Sequence, residues 1–216
     1  MKRRDFVKAL PILVATPAIL IPIQKEPEKR HLVALGSSAT NLILKHGSKL
    51  DFESFTIVND LRPMECAFNY DYFHFSPPNS TFMNIGDLRV QKPDILPDFK
   101  ISPDLKSALE QKTGIVTVVA CLGNISGTML YEAIGNQLER NQGGLQMLVT
   151  VPFRFEGKRR KNNAFKAIRN VEGKTFQKIL NLDRLRYIHG NLSIRSAFAK
   201  ADEWILETLA KDPGLG

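Results

Sequence analysis

From His31 to the end of the chain, short apolar runs alternate with amphipathic stretches. That pattern predicts β-strands linked by helices, with a parallel sheet covered on both faces. Leu32-Val33-Ala34-Leu35 reads as a buried strand stopped by Gly36, Thr40 to His46 as a helix, and Phe55-Thr56-Ile57-Val58 as the next strand, ending at Asn59-Asp60. Ser102-Pro103-Asp104 opens a second helix, with serine as N-cap and proline in the first turn, that runs to about Lys112. The β-branched run Ile115 to Ala120 has the character of a central strand. A polar, glycine-bearing turn from Gly123 to Thr128 leads from it into an amphipathic stretch, Met129 to Arg140. Leu145 to Val151 is another strand, followed by Pro152-Phe153 and a basic helix from near Lys158. Phe176, Ile179 and Leu180 mark a further strand before Asn181, and Ser193 caps a long helix with Ile194, Ala197, Phe198, Ala201 and Ile205 on one face. No internal repeat is present.

Two segments depart from this rhythm. Between Arg62 and Lys100 periodicity fades into prolines, aromatics and Asn/Asp/Ser, with Tyr70, Tyr72, Phe73 and Phe75 close together. The segment reads either as a binding surface or as a long loop or hairpin pinned to the core by its rings. At the N-terminus, Met1-Lys2-Arg3-Arg4 precedes an uncharged run from Ala9 to Ile23, the order of an export signal. Arg3 to Lys8 fits the twin-arginine pattern R-R-x-F-x-K, which directs folded proteins across a membrane. The alternative is a basic, apolar tail that anchors or packs. Pro11, Pro17 and Pro22 leave the run too short and too broken for a transmembrane helix. Gln24 to Arg30 is a charged linker. The chain thus divides into a leader and linker, 1–30, and a globular domain, 31–216. Residues 1–23 are a candidate membrane contact, and the expected location is a bacterial cell envelope, with the cytoplasm as the alternative.

Composition narrows the chemistry. The 216 residues are 43% apolar and 24% charged, ordinary for one globular domain. Of the formal charge of +8, Lys2, Arg3, Arg4 and Lys8 against Asp5 supply three units, and the remaining five suit an anionic ligand. No Lys/Arg stripe interleaved with aromatics appears, so a nucleic-acid partner is not expected. Cys66 and Cys121 form neither a disulfide framework nor a metal spacing, and His31, His46, His74 and His189 are scattered singly, so no metal site is expected.

Gly36-Ser37-Ser38-Ala39-Thr40-Asn41 follows a strand but lacks a dinucleotide glycine spacing and a Walker lysine. Gly123-Asn124-Ile125-Ser126-Gly127-Thr128 carries more. Its small residues let backbone N–H groups approach phosphate at a helix N-terminus, while an ordinary βα turn explains it equally well.

A wider resemblance joins these turns. Thr150-Val151-Pro152-Phe153-Arg154-Phe155-Glu156-Gly157-Lys158-Arg159-Arg160 resembles the T-K-P-F-x-F-E-G-x-x-R string of the FtsZ/tubulin-like GTPases, departing only at Val151. Gly36 to Asn41 matches the family's first glycine-rich loop, Ile57-Val58-Asn59-Asp60 its I-N-T-D, and Cys121 to Met129 the tubulin signature loop G-M-G-G-G-T-G-T-G. Asn181 to Leu185 resembles P-N-D-R-L, and Ala197 to Asp202 the A-F-x-x-A-D start of the long central helix. The resemblance covers about residues 31–61 and 102–212. It implies a Rossmann-like α/β three-layer sandwich with a mainly parallel sheet, binding GTP or GDP, with Mg²⁺ held through the phosphates.

By position, Gly36, Ser37, Gly123, Asn124, Ser126, Gly127 and Thr128 would cradle phosphates, beside Asn59 and Asp60 of the I-N-T-D match. Glu156 would accept from ribose hydroxyls, and Arg160 would reach the terminal phosphate. Phe198 would stack on guanine, Asp202 would accept from its N1–H and amine, and Asn41 would add a base contact.

Departures matter too. Ser37, Ser38, Ala39, Asn124, Ile125 and Met129 replace family glycines, and each added Cβ is expected to crowd the approach to phosphate. Asn181-Leu182 stands for P-N, and no third phosphate loop is recognisable between Arg62 and Lys100. The sequence given ends at Gly216, where family members continue into N-x-D-x-x-D, whose acids complete a neighbour's site. The expectation is a guanine-nucleotide-binding domain without self-sufficient hydrolysis and without catalytic residues of its own. It would modulate or cap a tubulin-like filament, with a full-length FtsZ-like subunit or itself as partner. A scaffold acting by protein contact alone and a slow GTPase completed by a partner are the alternatives.

Overall fold

A computed structural model describes residues 28–61, 68–78, 82–85, 88–91, 99–138 and 144–211, with backbone only for 82–85 and 88–91. The leader-like residues 1–27 and Cys66 lie outside the described residues. So do residues 62–67, 79–81, 86–87 and 92–98 of the segment in which no third phosphate loop is recognisable.

Six strands form one sheet in which every neighbouring pair is parallel: β1 (Arg30–Leu35), β2 (Ser54–Asn59), β3 (Asp71–His74), β6 (Ile115–Cys121), β7 (Leu145–Val151) and β8 (Phe176–Asn181). Their spatial order is β3-β2-β1-β6-β7-β8, and β4 (Phe82–Ile85) pairs antiparallel with β5 (Leu88–Gln91) in a separate hairpin. Six helices complete the described architecture: α1 (Gly36–His46), α2 (Pro103–Glu110), α3 (Ile125–Gln137), α4 (Lys158–Val171), α5 (Asp183–His189) and α6 (Ile194–Lys211).

The strands read as continuous apolar runs because both faces are covered. Val33, Leu35, Val116, Val118, Ala120, Met147 and Val149 pack under α2, α3 and α4, burying Leu105, Leu109, Leu130, Ile134, Ala164 and Ile168. On the opposite face Leu32, Ala34, Ile57, Val119 and Leu148 meet Leu42 and Ile43 of α1 and Ile205 and Leu209 of α6. The result is a three-layer α/β sandwich, as the resemblance implies.

The structure shifts several local boundaries. α1 begins at Gly36 rather than Thr40, and α3 at Ile125 rather than Met129, because the small residues of each turn themselves form the first helical turn. The segment Asp71–His74 is a parallel strand on the edge of β2, and its rings are pinned to the core on both faces, Tyr70 and Tyr72 on one side and Phe73 and Phe75 on the other. α6 does not bury its whole apolar face. Ala197, Ala201 and Ile205 are buried, whereas Ile194 and Phe198 are exposed, because the first turns of α6 pass beyond the sheet and meet only the small cluster of Phe153, Leu182 and Leu185. No helix of the described residues is long and apolar enough to cross a membrane.

Candidate functional site

The chain leaves the sheet in opposite directions from its centre. β1 leads outward to β2 and β3, β6 outward to β7 and β8, and the two central strands lie side by side with Leu35 opposite Ala120. The carboxyl ends of such a pair form a crevice, because the helices that follow them depart to opposite faces of the sheet. Here α1 and α3 start shoulder to shoulder. A Cβ built on Gly36 lies 2.7 Å from the Gly127 nitrogen, and one on Gly127 lies 3.0 Å from the Cys121 carbonyl oxygen. Gly36 also has φ of 75°, which a side chain would strain.

Between these helix starts is a cavity of about 300 Å³, lined by Gly36, Ser37, Ser38, Asp60, Asn124, Ser126 and Gly127 on one side and by Arg159 and Arg160 at the start of α4 on the other. First-turn N–H groups lack partners within their own helix, and the helix dipoles add positive potential, so two helix N-termini meet at one space, bordered also by Arg159 and Arg160, that suits an anion. Ser37 Oγ lies 3.1 Å from Asn59 Oδ1 and 3.4 Å from Asp60 Oδ1, so the hydroxyl donates to one of these acids or amides at the cavity wall. Asn59 itself is buried and donates through Nδ2 to the Leu61 carbonyl oxygen at 3.1 Å. Thr128 is buried as well, and its Oγ1 accepts from the Gly123 N–H at 2.9 Å, which clamps the turn. Asn41 is exposed on α1 and lines neither this cavity nor the next.

Ala39 and Met129, two of the side chains that stand for family glycines, point into the cores on opposite faces of the sheet and do not crowd the cavity. Ser37, Ser38, Asn124 and Ile125 do line it.

A second, narrower cavity of about 80 Å³ continues from the first across Ser38, Cys121 and Asn124, which border both. Glu156, Phe198 and Asp202 line it with Thr150, Pro152 and Leu182. Phe198, 41% exposed, stands edge-on to Phe153 at 5.6 Å and to Phe155 at 5.9 Å, and those two rings stack on each other at 4.9 Å. Glu156 is engaged at both oxygens. Oε1 accepts from the Phe153 N–H at 2.9 Å, and Oε2 accepts from Arg160 Nη1 at 3.2 Å. Burial raises the Asp202 carboxyl above its ordinary range, opposed by the charges of Lys45 and His46 on α1. Burial pushes the Cys121 thiol up to about 11; a hydrogen bond with Thr150 opposes this, while the Asp202 and Glu156 charges reinforce it, so the thiol is neutral.

The cleft is therefore polarised, with helix N-termini at one end and Asp202 at the other, and the Arg160–Glu156 pair bridging the two cavities. The tertiary structure brings Gly36, Ser37, Asp60, Gly123, Asn124, Ser126, Gly127 and Arg160 around the first cavity and Glu156, Phe198 and Asp202 around the second. Ser38, Cys121, Thr150 and Arg159 join them without having been singled out. Ser38 and Arg159 are neighbours of expected residues; Cys121 ends β6 and Thr150 is next to last in β7, both inside stretches that resemble the family's but with no role assigned to them.

No protein-family model matches the chain. Over 106 residues it is 36% identical to the cell division protein FtsZ of Porphyromonas gingivalis, a stretch that covers 46% of this chain and 22% of that relative. Its structure is similar to the FtsZ dimer of M. jannaschii, with TM-score 0.62 and 18% identity over 88% of this chain and 57% of that one. CetZ2 from Haloferax volcanii, in a GTPγS-bound protofilament, follows with TM-score 0.59 and 17% identity over 87% and 60%. TubZ of Bacillus thuringiensis, in GDP-form protofilaments, has TM-score 0.56 and 13% identity over 85% and 54%. The chain has an FtsZ/tubulin-like fold and spans little more than half of each of those structures.

Proposed function

We propose that this chain of FtsZ/tubulin-like fold binds a guanine nucleotide, GTP or GDP, in the cleft between α1, α3 and α6, and that the bound nucleotide governs its contact with a tubulin-like filament. The polarity of the cleft carries the reading. Phosphates would lie against the starts of α1 and α3, where the Gly36–Gly127 contact leaves no space for a Cβ and backbone N–H groups face the cavity. The base would lie by Phe198, with Asp202 accepting from guanine N1–H and its exocyclic amine, a donor pair that adenine lacks. Arg160 would leave Glu156 to reach the terminal phosphate, which in turn frees Glu156 Oε2 for the ribose hydroxyls. Bound Mg²⁺ would offset phosphate charge, with Asp60 as the carboxylate at that end of the cavity.

Asp60 is the single acid lining the phosphate side among the described residues, and Ser37 is within hydrogen-bond distance of it. Binding is therefore expected without rapid hydrolysis unless a partner subunit brings further carboxylates. Relatives of the same fold form protofilaments, which supports a full-length FtsZ-like subunit or a second copy as that partner, in a capping or modulating role.

A second reading, a scaffold that keeps the fold for protein contact, draws on the Ser37, Ser38, Asn124 and Ile125 side chains in the cavity and on the closed Glu156–Arg160 pair. Isothermal titration with GTP, GDP and ATP separates the two. Binding of GTP and GDP in preference to ATP is expected; a folded protein that binds none of them leaves the scaffold.

A further inference from the structure

Positive charge concentrates in one stretch of the chain. Residues 154–200 hold thirteen Lys/Arg against three Asp/Glu, an excess larger than the +8 of the whole chain. Two of those three acids are already held, Glu156 by Arg160 and Asp183 by Lys161. Among the described residues, no acid forms an ion pair with Arg154, Arg184 or Arg186.

All three arginines stand on α5 or beside it. Arg154 is held there by its own backbone, whose N–H donates to the Asp183 carboxylate at 2.8 Å. Leu185 packs with Phe153, Leu182 and Ala201, and with Asp183 it makes up the buried side of this short helix. The remaining residues of α5 face solvent, with Tyr187 and Ile188 86% and 67% exposed. Tyr187 also borders a cavity of about 270 Å³, together with Arg154, Asp183, Arg186, Gly190 and Asn191, none of which lines the nucleotide cleft. The Asp183 charge is spent on Lys161 and on the Arg154 N–H, so the two guanidinium groups set the sign of this cavity.

We propose that α5 docks this protein on an anionic membrane surface, with the phosphate of a lipid headgroup in the cavity of Arg154 and Arg186 and with Tyr187 and Ile188 entering the interface beside it. Guanidinium forks match phosphate oxygens, and the surrounding positive excess extends the attraction across a plane of headgroups. Tyrosine suits that level of a bilayer, since its ring is apolar and its hydroxyl stays wet. Geometry favours lipid over a protein groove. Tyr187 and Ile188 are consecutive, so they leave the helix in directions about 100° apart, whereas a groove receives one helix face at spacings of three and four. A fluid interface receives both. Arg184, one turn before each of them, adds a cation at the same side of α5. No helix of the described residues is long and apolar enough to cross a membrane, so the contact lies on the surface. The site is separate from the nucleotide cleft and stands without it.

The test is hydrogen exchange of the full chain with phosphatidylcholine vesicles that contain or lack phosphatidylglycerol. With phosphatidylglycerol, the amides from 186 to 191 are expected to exchange at least about threefold more slowly, an effect that phosphatidylcholine alone does not give and that added salt weakens. Arg186→Glu and the double variant Tyr187→Ser, Ile188→Ser are each expected to remove the protection, with thermal melts matching the parent. If Arg186→Glu fails to fold, Arg186→Gln takes its place. Equal protection by both kinds of vesicle, indifference to both variants, or no binding to either vesicle would overturn the proposal. So would flotation with phosphatidylglycerol that leaves those amides unprotected, which assigns the binding to another part of the chain. Equal protection by inorganic phosphate at the same phosphate concentration makes the cavity a site for free anions instead. Protection by polyglutamate without lipid, or by concentration-dependent dimerisation, likewise replaces the membrane with an acidic protein or a second copy.

Discussion

In the proposed pose Asp202 meets two opposed demands at one carboxylate. Burial favours its protonated form, while reading guanine needs the ionised form as acceptor. Because the native carboxyl holds its proton to higher pH than the unfolded one, the native state binds more protons between the two values. Folding stability therefore falls as pH rises through that window, just above the ordinary carboxylate range. In the proposed pose guanine binding is expected to strengthen through the same window. Urea unfolding of the nucleotide-free protein across mildly acidic pH should show the decline, and Asp202→Asn should flatten it. Asp202→Ala should erase the preference for guanine over adenine; unchanged relative affinities refute the pose. Thr128 makes a different kind of contribution. Its hydroxyl satisfies the Gly123 N–H in a site closed to water, so Thr128→Val should lower stability by about 1–3 kcal/mol in urea unfolding. It should also loosen nucleotide binding, since Gly123 borders the cavity.

At the scale of elements, Asp183 joins three. Its carboxylate accepts from the Arg154 N–H at 2.8 Å and from Lys161 Nζ at 2.5 Å, tying the turn after β7 and the start of α4 to α5. Asp183→Ala strands both donors, and a loss of about 2 kcal/mol is expected, with faster hydrogen exchange in the turn and in α5. What was legible at this scale follows from burial. The runs of β1, β2, β6 and β7 are apolar throughout because both their faces are covered, so composition alone marks them. Asp71-Tyr72-Phe73-His74 is not marked in that way; it is a strand because β2 offers an open edge and the Tyr72 hydroxyl donates to the Asn59 carbonyl oxygen. The caps behaved locally, as when Ser102 Oγ accepts from the Leu105 N–H at 3.2 Å, whereas the starts of α1 and α3 depended on the contact between two glycines distant in sequence.

For the molecule as a whole, a ligand that binds only the folded state stabilises it. GTP at about a hundred times its dissociation constant adds roughly 2.7 kcal/mol, a rise in Tm of several degrees that ATP should not reproduce in a thermal melt. Envelope association through the twin-arginine-like leader is checked by fractionating cells that carry the parent chain or the Arg3→Lys, Arg4→Lys variant. The parent is expected with the envelope, and soluble cytosolic protein in both sinks the idea. The sequence by itself determined the α/β alternation, the caps and the glycine turns, since each depends on periodicity or on neighbours a few positions apart; the residues expected at ribose and guanine follow only from the resemblance. Only the tertiary structure decided that β1 and β6 lie side by side, so that two helix starts face one cavity. It alone turned Ala39 and Met129 into the cores, engaged Glu156 with Arg160, and set β8 at the end of the sheet among the described residues. Those outcomes rest on strand order and helix packing between distant segments, which no local pattern encodes.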